Sequence, residues 1–406
     1  MILPLRHRPP TGPFAEPRPH MRGRYLLRDP KKWAAMVTLD AAFALAPVKK
    51  GPVPARPQRI LLADWGHLGD VVTTFGAISI LKERFPGVEI GMIVGNWGSA
   101  AIRNAGLVDR LHVIDHPLLN RSDQSRGEKL ARYRETRRAQ MPTIRAAGYE
   151  VGIDFYPFFP PAHPLFLQAG IPARLGYASG GFGSLLSGPA DWPDADMPTA
   201  EHYRPLLDLL LGGEEPLAPG SLRPQRDRAT LAPPPPELAN GEPYIVLHPG
   251  SGAAYKDWGF DNWRILASSL VERRPTVRLV VTGAGKDEVA MADRLAAQVP
   301  EIANLAGRLD WEGFVRVIAD AAQVICPDTA TGHVAALFDV PTVSIFTGTN
   351  NAAQWAPYTA NVKVLMQPTR CAPCNRPGCE AMACIRDVSP DDVYDALWTD
   401  ATDDQR

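Results

Sequence analysis

Apolar residues in this chain come in short unbroken runs, each followed by a turn of small residues and then by a segment of helical period. Arg59-Ile60-Leu61-Leu62-Ala63-Asp64 opens the first unit. A run apolar at consecutive positions reads as a strand buried on both faces. The pattern predicts a helix from Val71 to Phe85 and strands at Val88–Val94, Arg110–Asp115 and Glu150–Phe155. A second series starts with a strand at Tyr244–His248. It continues through helix Asn262–Arg273, strand Val277–Thr282, helix Asp287–Gln298, strand Val324–Cys326, helix Gly332–Phe338 and strand Thr342–Phe346. Strands alternating with helices require crossover connections and hence parallel sheets.

Residues 213–243 read as a linker, starting at the pair Gly212-Gly213 and including four prolines at Pro233–Pro236. Ser389-Pro390-Asp391-Asp392 starts a last helix, with Ser as cap and Pro at the first position. The expected fold class is α/β: two doubly wound, Rossmann-like domains, 58–212 and 244–388, facing a central cleft. A Pro/Arg-rich extension, 1–57, precedes them and a helix and tail, 389–406, follow. In such sheets ligands sit at the carboxyl ends of the strands.

The 406 residues suit two to three domains. With 43 Lys+Arg against 44 Asp+Glu, no chain-wide affinity for polyanions is expected, and nucleic acid is not an expected partner. No apolar run approaches the roughly 20 residues of a membrane span. Arg6, Arg8, Pro9 and Pro10 interrupt the only apolar start, so a secretory signal is not expected and a cytoplasmic location is. The charge is unevenly spread: residues 1–57 hold 11 Lys/Arg and 3 Asp/Glu. Within them an apolar stretch runs between Lys31-Lys32 and Lys49-Lys50, broken by Asp40. Two readings stand: a helix lying in a membrane interface, or an amphipathic helix packed on the main body. Residues 120–145 carry eight Lys/Arg against three acids and read as a solvated helix face.

Candidate chemistry lies in the turns. Trp65-Gly66-His67-Leu68-Gly69-Asp70 joins the first strand to its helix, and Asp70 falls at the helix start, where an Asp is a favoured cap and needs no further role. His248-Pro249-Gly250-Ser251-Gly252 leaves a strand through a flexible loop, and Lys256 and Trp258 follow it. Val281-Thr282-Gly283-Ala284-Gly285-Lys286 imitates a nucleotide fingerprint but lacks the third glycine of one pattern and the Ser/Thr of the other. Asp287 and Glu288 open the next helix, where an acid either holds ribose hydroxyls or favours the helix dipole. In Cys326-Pro327-Asp328-Thr329-Ala330-Thr331-Gly332-His333 a strand ends, small hydroxylated residues turn and a helix begins. Backbone N–H groups at such a terminus suit a diphosphate.

Taken in order, Leu68–Asp70, His248-Pro249-Gly250 with Lys256 and Trp258, Pro327-Asp328-Thr329 with His333, and Cys384-Ile385-Arg386-Asp387-Val388-Ser389-Pro390 resemble glycosyltransferase family 9, from about Arg59 to Leu397. That family contains the heptosyltransferases of lipopolysaccharide core synthesis. The resemblance implies a GT-B fold and inverting transfer of a sugar from a nucleotide donor, ADP-heptose foremost, with no metal required for catalysis. It implies Asp70 as general base and Lys256 as the counter-charge of the donor diphosphate. Thr329, Ala330, Thr331 and Gly332 would supply backbone donors to the phosphates, with Asp328 near the donor sugar and His333 in the same site. Asp287 aligns with the acid on the ribose, Glu288 being one residue off, and Leu309 falls where backbone reads adenine. The implied partners are a nucleotide-sugar donor, an acidic glycolipid or glycan acceptor suited to the basic run, and the inner-membrane surface through the extension. Ala330 replaces a glycine usual in the family, and Gly66 and His67 replace small hydroxyl residues. The alternatives are transfer to a protein or another glycan, and a catalytically silent scaffold.

Cys371, Cys374, Cys379 and Cys384 are spaced so that four thiolates could close a tetrahedral site for structural zinc or iron. Reduced thiols in a Pro-rich loop are the alternative.

Overall fold

Short apolar runs flanked by glycine turns leave each strand no partner in its own neighbourhood, so pairing comes from distant segments. The computed structural model describes residues 25–26, 29–45, 48–193, 196–212, 217–372, 374 and 379–398. The first 24 residues of the extension, the first residues of the expected linker, part of the cysteine loop and the end of the tail lie outside them.

The chain divides into two units, with Pro224 and Gln225 on either side of the main boundary. In the first, β1 (Arg59–Ala63), β2 (Glu89–Val94), β3 (Arg110–Val113), β4 (Val151–Asp154), β5 (Ala173–Tyr177) and β6 (Gly188–Ala190) form one sheet in the order 3-2-1-4-5-6. The second contains β7 (Tyr244–Leu247), β8 (Arg278–Val281), β9 (Ile302–Asn304), β10 (Gln323–Pro327), β11 (Thr342–Ile345) and β12 (Val362–Leu365), in the order 12-11-10-7-8-9. All ladders are parallel. Each sheet reverses its direction of winding beside its own first strand, at β1/β4 and at β7/β10, and a doubly wound sheet opens a crevice at such a point.

Helix Arg126–Ala147 contains the basic run. Ser125 and Glu128 cap it reciprocally, and Gly148 ends it at φ +64°. Its inner side sets Met141 and Ile144 against Leu61, Ile93 and Phe166. Part of the charge is structural, since Arg132 pairs with Asp115 at 3.1 Å and Arg145 donates to Gln168 O. In the second unit Trp258 and Trp263, both fully buried, meet edge to face at 5.0 Å beneath β7 and β8. The last helix, Pro390–Trp398, adds Val393 and Leu397 to the same core.

Three sequence expectations change. The helix expected over Val71 to Phe85 is two helices, Leu68–Thr73 and Phe75–Arg84. The hydroxyls of Thr73 and Thr74 bond back to Asp70 O and Val71 O where they meet. The described part of the linker, 217–243, is packed. Leu222 is fully buried in the first unit, and its carbonyl lies where a Cβ on Gly76 would stand at 2.1 Å. Arg226 and Arg228 belong to the second unit: Arg226 pairs with Glu312 at 2.8 Å, and Arg228 donates to Phe338 O. Proline composition therefore marks a strap held by backbone acceptors and buried leucines. Finally, the helix expected from Gly332 starts at Ala330, with Thr329 as its extended N-cap.

Candidate functional site

The chemistry-bearing turns follow the strands that flank the two crevices. After β1, the backbone needs Gly66 because two carboxylates converge on it: a Cβ there would lie 2.3 Å from Asp70 Cβ and 2.8 Å from Asp64 Oδ1. Asp64 Oδ1 accepts the Gly66 N–H at 2.7 Å, and Asp70 Oδ2 accepts the His67 N–H at 2.7 Å. Trp97 Nε1 donates to Gly66 O at 3.0 Å and holds the outer side of the turn. Asp70 is half-buried; Asp64 is buried.

Asp154 closes β4, in register with Ala63 of β1. Its oxygens accept from Tyr156 N at 3.1 Å and Ala162 N at 2.5 Å, and His163 Nε2 lies 3.3 Å from Oδ2. Burial raises the Asp154 carboxyl to about 7 and lowers the His163 imidazole to about 3. Burial, and then the nearby charge of Asp70, push the Asp64 carboxyl well above the usual range. Carboxyls displaced this way are common at functional sites. The motif reading singled out Asp70 and passed over Asp64, Asp154 and Tyr156. The missed signal was an acid closing an otherwise apolar strand, in Leu61-Leu62-Ala63-Asp64 and again in Val151-Gly152-Ile153-Asp154.

In the second unit β7 and β10 are neighbours, and their following turns meet. Lys256, in the turn Ala254–Lys256, places Nζ 2.8 Å from Asp328 Oδ2 and donates to Asp328 O at 2.8 Å. Asn350 Nδ2, from the loop after β11, donates to Asp328 Oδ2 at 2.6 Å. Asp328 is buried and Lys256 partly so. His248 is buried against Thr282 Oγ1 at 2.9 Å, and burial lowers its imidazole to about 4.

The helix behind this turn, Ala330–Ala336, sets Thr331 and Gly332 inside. A Cβ on Gly332 would lie 2.8 Å from Pro357 Cγ, so packing requires this glycine. Ala330 and His333 are half-buried beside it, and Thr329 Oγ1 turns back to Pro327 O. Leu309, half-buried, follows β9 and precedes the helix capped by Asp310. Of the two acids that open helix Lys286–Gln298, Asp287 is exposed. Glu288 turns inward: a Cβ on Gly250 would meet its carboxylate at 2.4 Å, and Glu288 Oε2 accepts the Ala284 N–H at 2.7 Å. One step along a helix rotates a side chain by about 100°, so the two neighbouring acids face different ways.

The four cysteines also converge. Cys371, Cys374, Cys379 and Cys384 line one pocket of about 80 Å³ with Tyr255, Thr349 and Met382, and all four are free thiols. Burial and the three neighbouring sulfurs raise the Cys384 thiol. Cys374 N donates to Gly348 O at 2.8 Å, which ties the loop to the segment that carries Asn350. Among the described residues, no three His, Cys, Asp or Glu side chains are drawn into metal-ligating geometry. The soft donors are thus gathered but not closed around a centre.

Two doubly wound units, each with a loaded turn at its own switch point, define an α/β protein assembled from a pair of Rossmann-like domains. The model of glycosyltransferase family 9 (heptosyltransferase) matches residues 137–384, and the chain belongs to that family. It is 37% identical over 153 residues to lipopolysaccharide heptosyltransferase 1 of Pseudomonas aeruginosa, which is 38% of this chain and 41% of that protein. The match therefore spans about two fifths of that relative. With lipopolysaccharide heptosyltransferase 1 of Escherichia coli K12 it shares 24% identity over 306 residues, 71% of this chain and 88% of the relative. The structure of E. coli heptosyltransferase WaaC with ADP superposes with a TM-score of 0.66 at 19% identity, covering 84% of this chain and 98% of that one. That likeness shows the GT-B fold.

Proposed function

We propose that this protein is an inverting glycosyltransferase that moves a sugar, heptose from ADP-heptose, onto an acceptor hydroxyl of the lipopolysaccharide core. The observation that carries the reading is the Lys256–Asp328–Asn350 cluster at the β7/β10 switch point of a family 9 chain. Its relatives named as heptosyltransferases, and a similar structure with bound ADP, support the donor.

Asp70 takes the proton of the acceptor hydroxyl while that oxygen attacks the anomeric carbon. The bond from that carbon to the diphosphate breaks, and its electron pair leaves on the diphosphate oxygen. Lys256 meets the growing negative charge there, and this electrostatic contribution is realised most fully in the transition state. The backbone of Thr329–Gly332 lies beside the same phosphates, with Asp328 and His333 toward the sugar. Glu288, whose carboxylate turns inward beside Gly250, is the acid we assign to the ribose hydroxyls in place of Asp287. Leu309 borders the base.

A zinc or iron ion on Cys371, Cys374, Cys379 and Cys384 would brace the loop behind the donor cluster. Four thiolates would leave no open ligand position, so its role would be structural. The enzyme works at the cytoplasmic face of the inner membrane, where a lipid-linked acceptor is exposed. Among the described residues no helix is long and apolar enough to cross a membrane.

The test is calorimetric titration with ADP, UDP and GDP on wild type and Lys256→Ala, followed by product analysis with ADP-heptose on Asp70→Ala. Preference for ADP that weakens in Lys256→Ala, with transfer lost in Asp70→Ala, is expected. Preference for UDP or GDP removes heptose as the donor sugar. No nucleotide binding, or unchanged transfer in Asp70→Ala, overturns the mechanism.

A further inference from the structure

The helix Pro30–Leu45 is seated on the first unit by a narrow stripe. A Cβ on Gly181 would fall 2.1 Å from Met36 Sδ, and Phe43 meets Phe182 edge to face at 5.3 Å. From Trp33 to Val48 the only charged residue is Asp40, and it is turned inward, 3% exposed, accepting from Tyr25 OH at 2.7 Å. Thr38 returns its hydroxyl to Ala34 O. The outer side therefore presents Ala34, Ala35, Val37, Leu39, Ala41, Ala42, Ala44 and Leu45 to solvent without a charge, with Leu39 at 43% and Leu45 at 88%. Exposed Lys31-Lys32 and Lys49-Lys50 stand on either side along the chain.

An uncharged helix face that none of the described residues covers costs free energy in water. Lysines at both ends with an apolar strip between them match an anionic lipid surface: headgroup charge meets the lysines and the acyl boundary receives the leucines. The seat of the helix also leads to the base. Ser179 Oγ donates to Pro157 O at 2.9 Å, so the loop under the helix is bonded to the segment that follows β4 and carries Tyr156. The charges of Asp70 and Asp64 reach the Tyr156 hydroxyl.

We infer that the outer face of Pro30–Leu45 is a docking surface for an anionic membrane, and that it brings the Asp70 turn to acceptors held in that membrane. The second half of this statement rests on the proposed glycolipid acceptor; the first does not.

The test is co-sedimentation of the full chain with vesicles of phosphatidylcholine alone and of phosphatidylcholine with phosphatidylglycerol, in low and high salt. Wild type should bind the anionic vesicles, and salt should release it. Lys31→Gln with Lys32→Gln should weaken binding about fivefold per lysine, the factor for ~1 kcal/mol each near a charged surface. Leu39→Glu with Leu45→Glu, both at exposed positions, should weaken it by at least about tenfold. Equal binding to neutral and anionic vesicles overturns the inference, and so does a leucine variant that binds like wild type. Light scattering provides a second measurement: a wild-type dimer that the leucine variant makes monomeric assigns the face to a second copy and also overturns it. ADP titration on the same variants keeps the two proposals apart. Unchanged affinity is expected, whereas wild type that binds vesicles but not ADP retires the enzymatic reading and leaves the surface standing.

Discussion

Removing the ammonium of Lys256 while keeping its stem, as in Lys256→Met, separates what the cluster does for the fold from what it does for a donor. Nζ is 2.8 Å from Asp328 Oδ2, with the two side chains 18% and 7% exposed. At an effective dielectric of ~20, the gross attraction at that distance is about 6 kcal/mol. Desolvation of both ions offsets much of it, so the net value of the pair is far smaller. Breaking a fully buried pair by deleting one partner costs ~3–5 kcal/mol, because the other charge stays buried. Partial exposure of the lysine and the remaining bond from Asn350 lower the expected cost to about 2–3 kcal/mol. For a domain of this size that is a fall of about 5–10 °C in Tm. Asp328→Asn in the same chain removes the stranded charge, so the double variant should recover most of the lost stability. Its ADP affinity should stay as low as that of Lys256→Met, since no cation returns. Scanning calorimetry and titration on the wild type, both single variants and the double variant check this. A Lys256→Met protein that melts with wild type, or a double variant that loses the sum of the singles, refutes the reasoning.

Gly76→Ala should destabilise the first unit by about 2–4 kcal/mol, read as a fall in Tm, because the added Cβ would stand 2.1 Å from the carbonyl oxygen of Leu222, which cannot yield as a side chain tip does. His248 has a folded value near 4, below the 6.5 of an exposed imidazole, so its contribution is present above 6.5 and lost as pH falls through about 4. His248→Asn should flatten the stability curve in that window by up to ~1.4 kcal/mol per pH unit, read from denaturant midpoints. Asp64 is shifted the other way: its contribution is complete below about 3.8 and is lost as pH rises toward its raised folded value. Asp64→Asn, whose amide oxygen can still accept the Gly66 N–H, should therefore hold its Tm better than wild type as pH rises. A steeper fall would show that the carboxyl is ionised and needed in that form.

Much of this molecule is written locally. Buried parallel strands such as Ile60-Leu61-Leu62-Ala63 and Tyr244-Ile245-Val246-Leu247 are apolar at every position, so run length alone marks them and the glycine turns mark their ends. Strands β5, β6, β9 and β12 escaped that reading, since Ala-Arg-Leu-Gly-Tyr, Gly-Pro-Ala, Ile-Ala-Asn and Val-Lys-Val-Leu are short or mixed and become strands only beside a preformed neighbour. The fully buried Arg174 in β5 is tolerated because the carbonyls of Ile171, Leu185 and Lys49 accept from it, partners that no local pattern reveals.

The candidate site divides in the same way. The turns around Asp70, Lys256 and Asp328 were legible because strand, glycine and helix follow one another within a dozen residues. That Lys256 meets Asp328, 72 positions away, depends on β7 and β10 being neighbours, which is a property of winding order. That Glu288 faces inward and Asp287 outward depends on the phase of one helix against Gly250. Asp64 and Asp154, unremarkable as strand ends, gained displaced protonation from burial, to which the nearby charge of Asp70 adds at Asp64. Sequence by itself determined the parts list, the α/β class and the turns that hold the chemistry, because periodicity and turn propensity act over a few residues. Tertiary structure decided which charges meet, which acid faces inward and which helix face the described residues leave uncovered. Those outcomes depend on distance and dielectric, which exist only once strands far apart in the chain lie side by side.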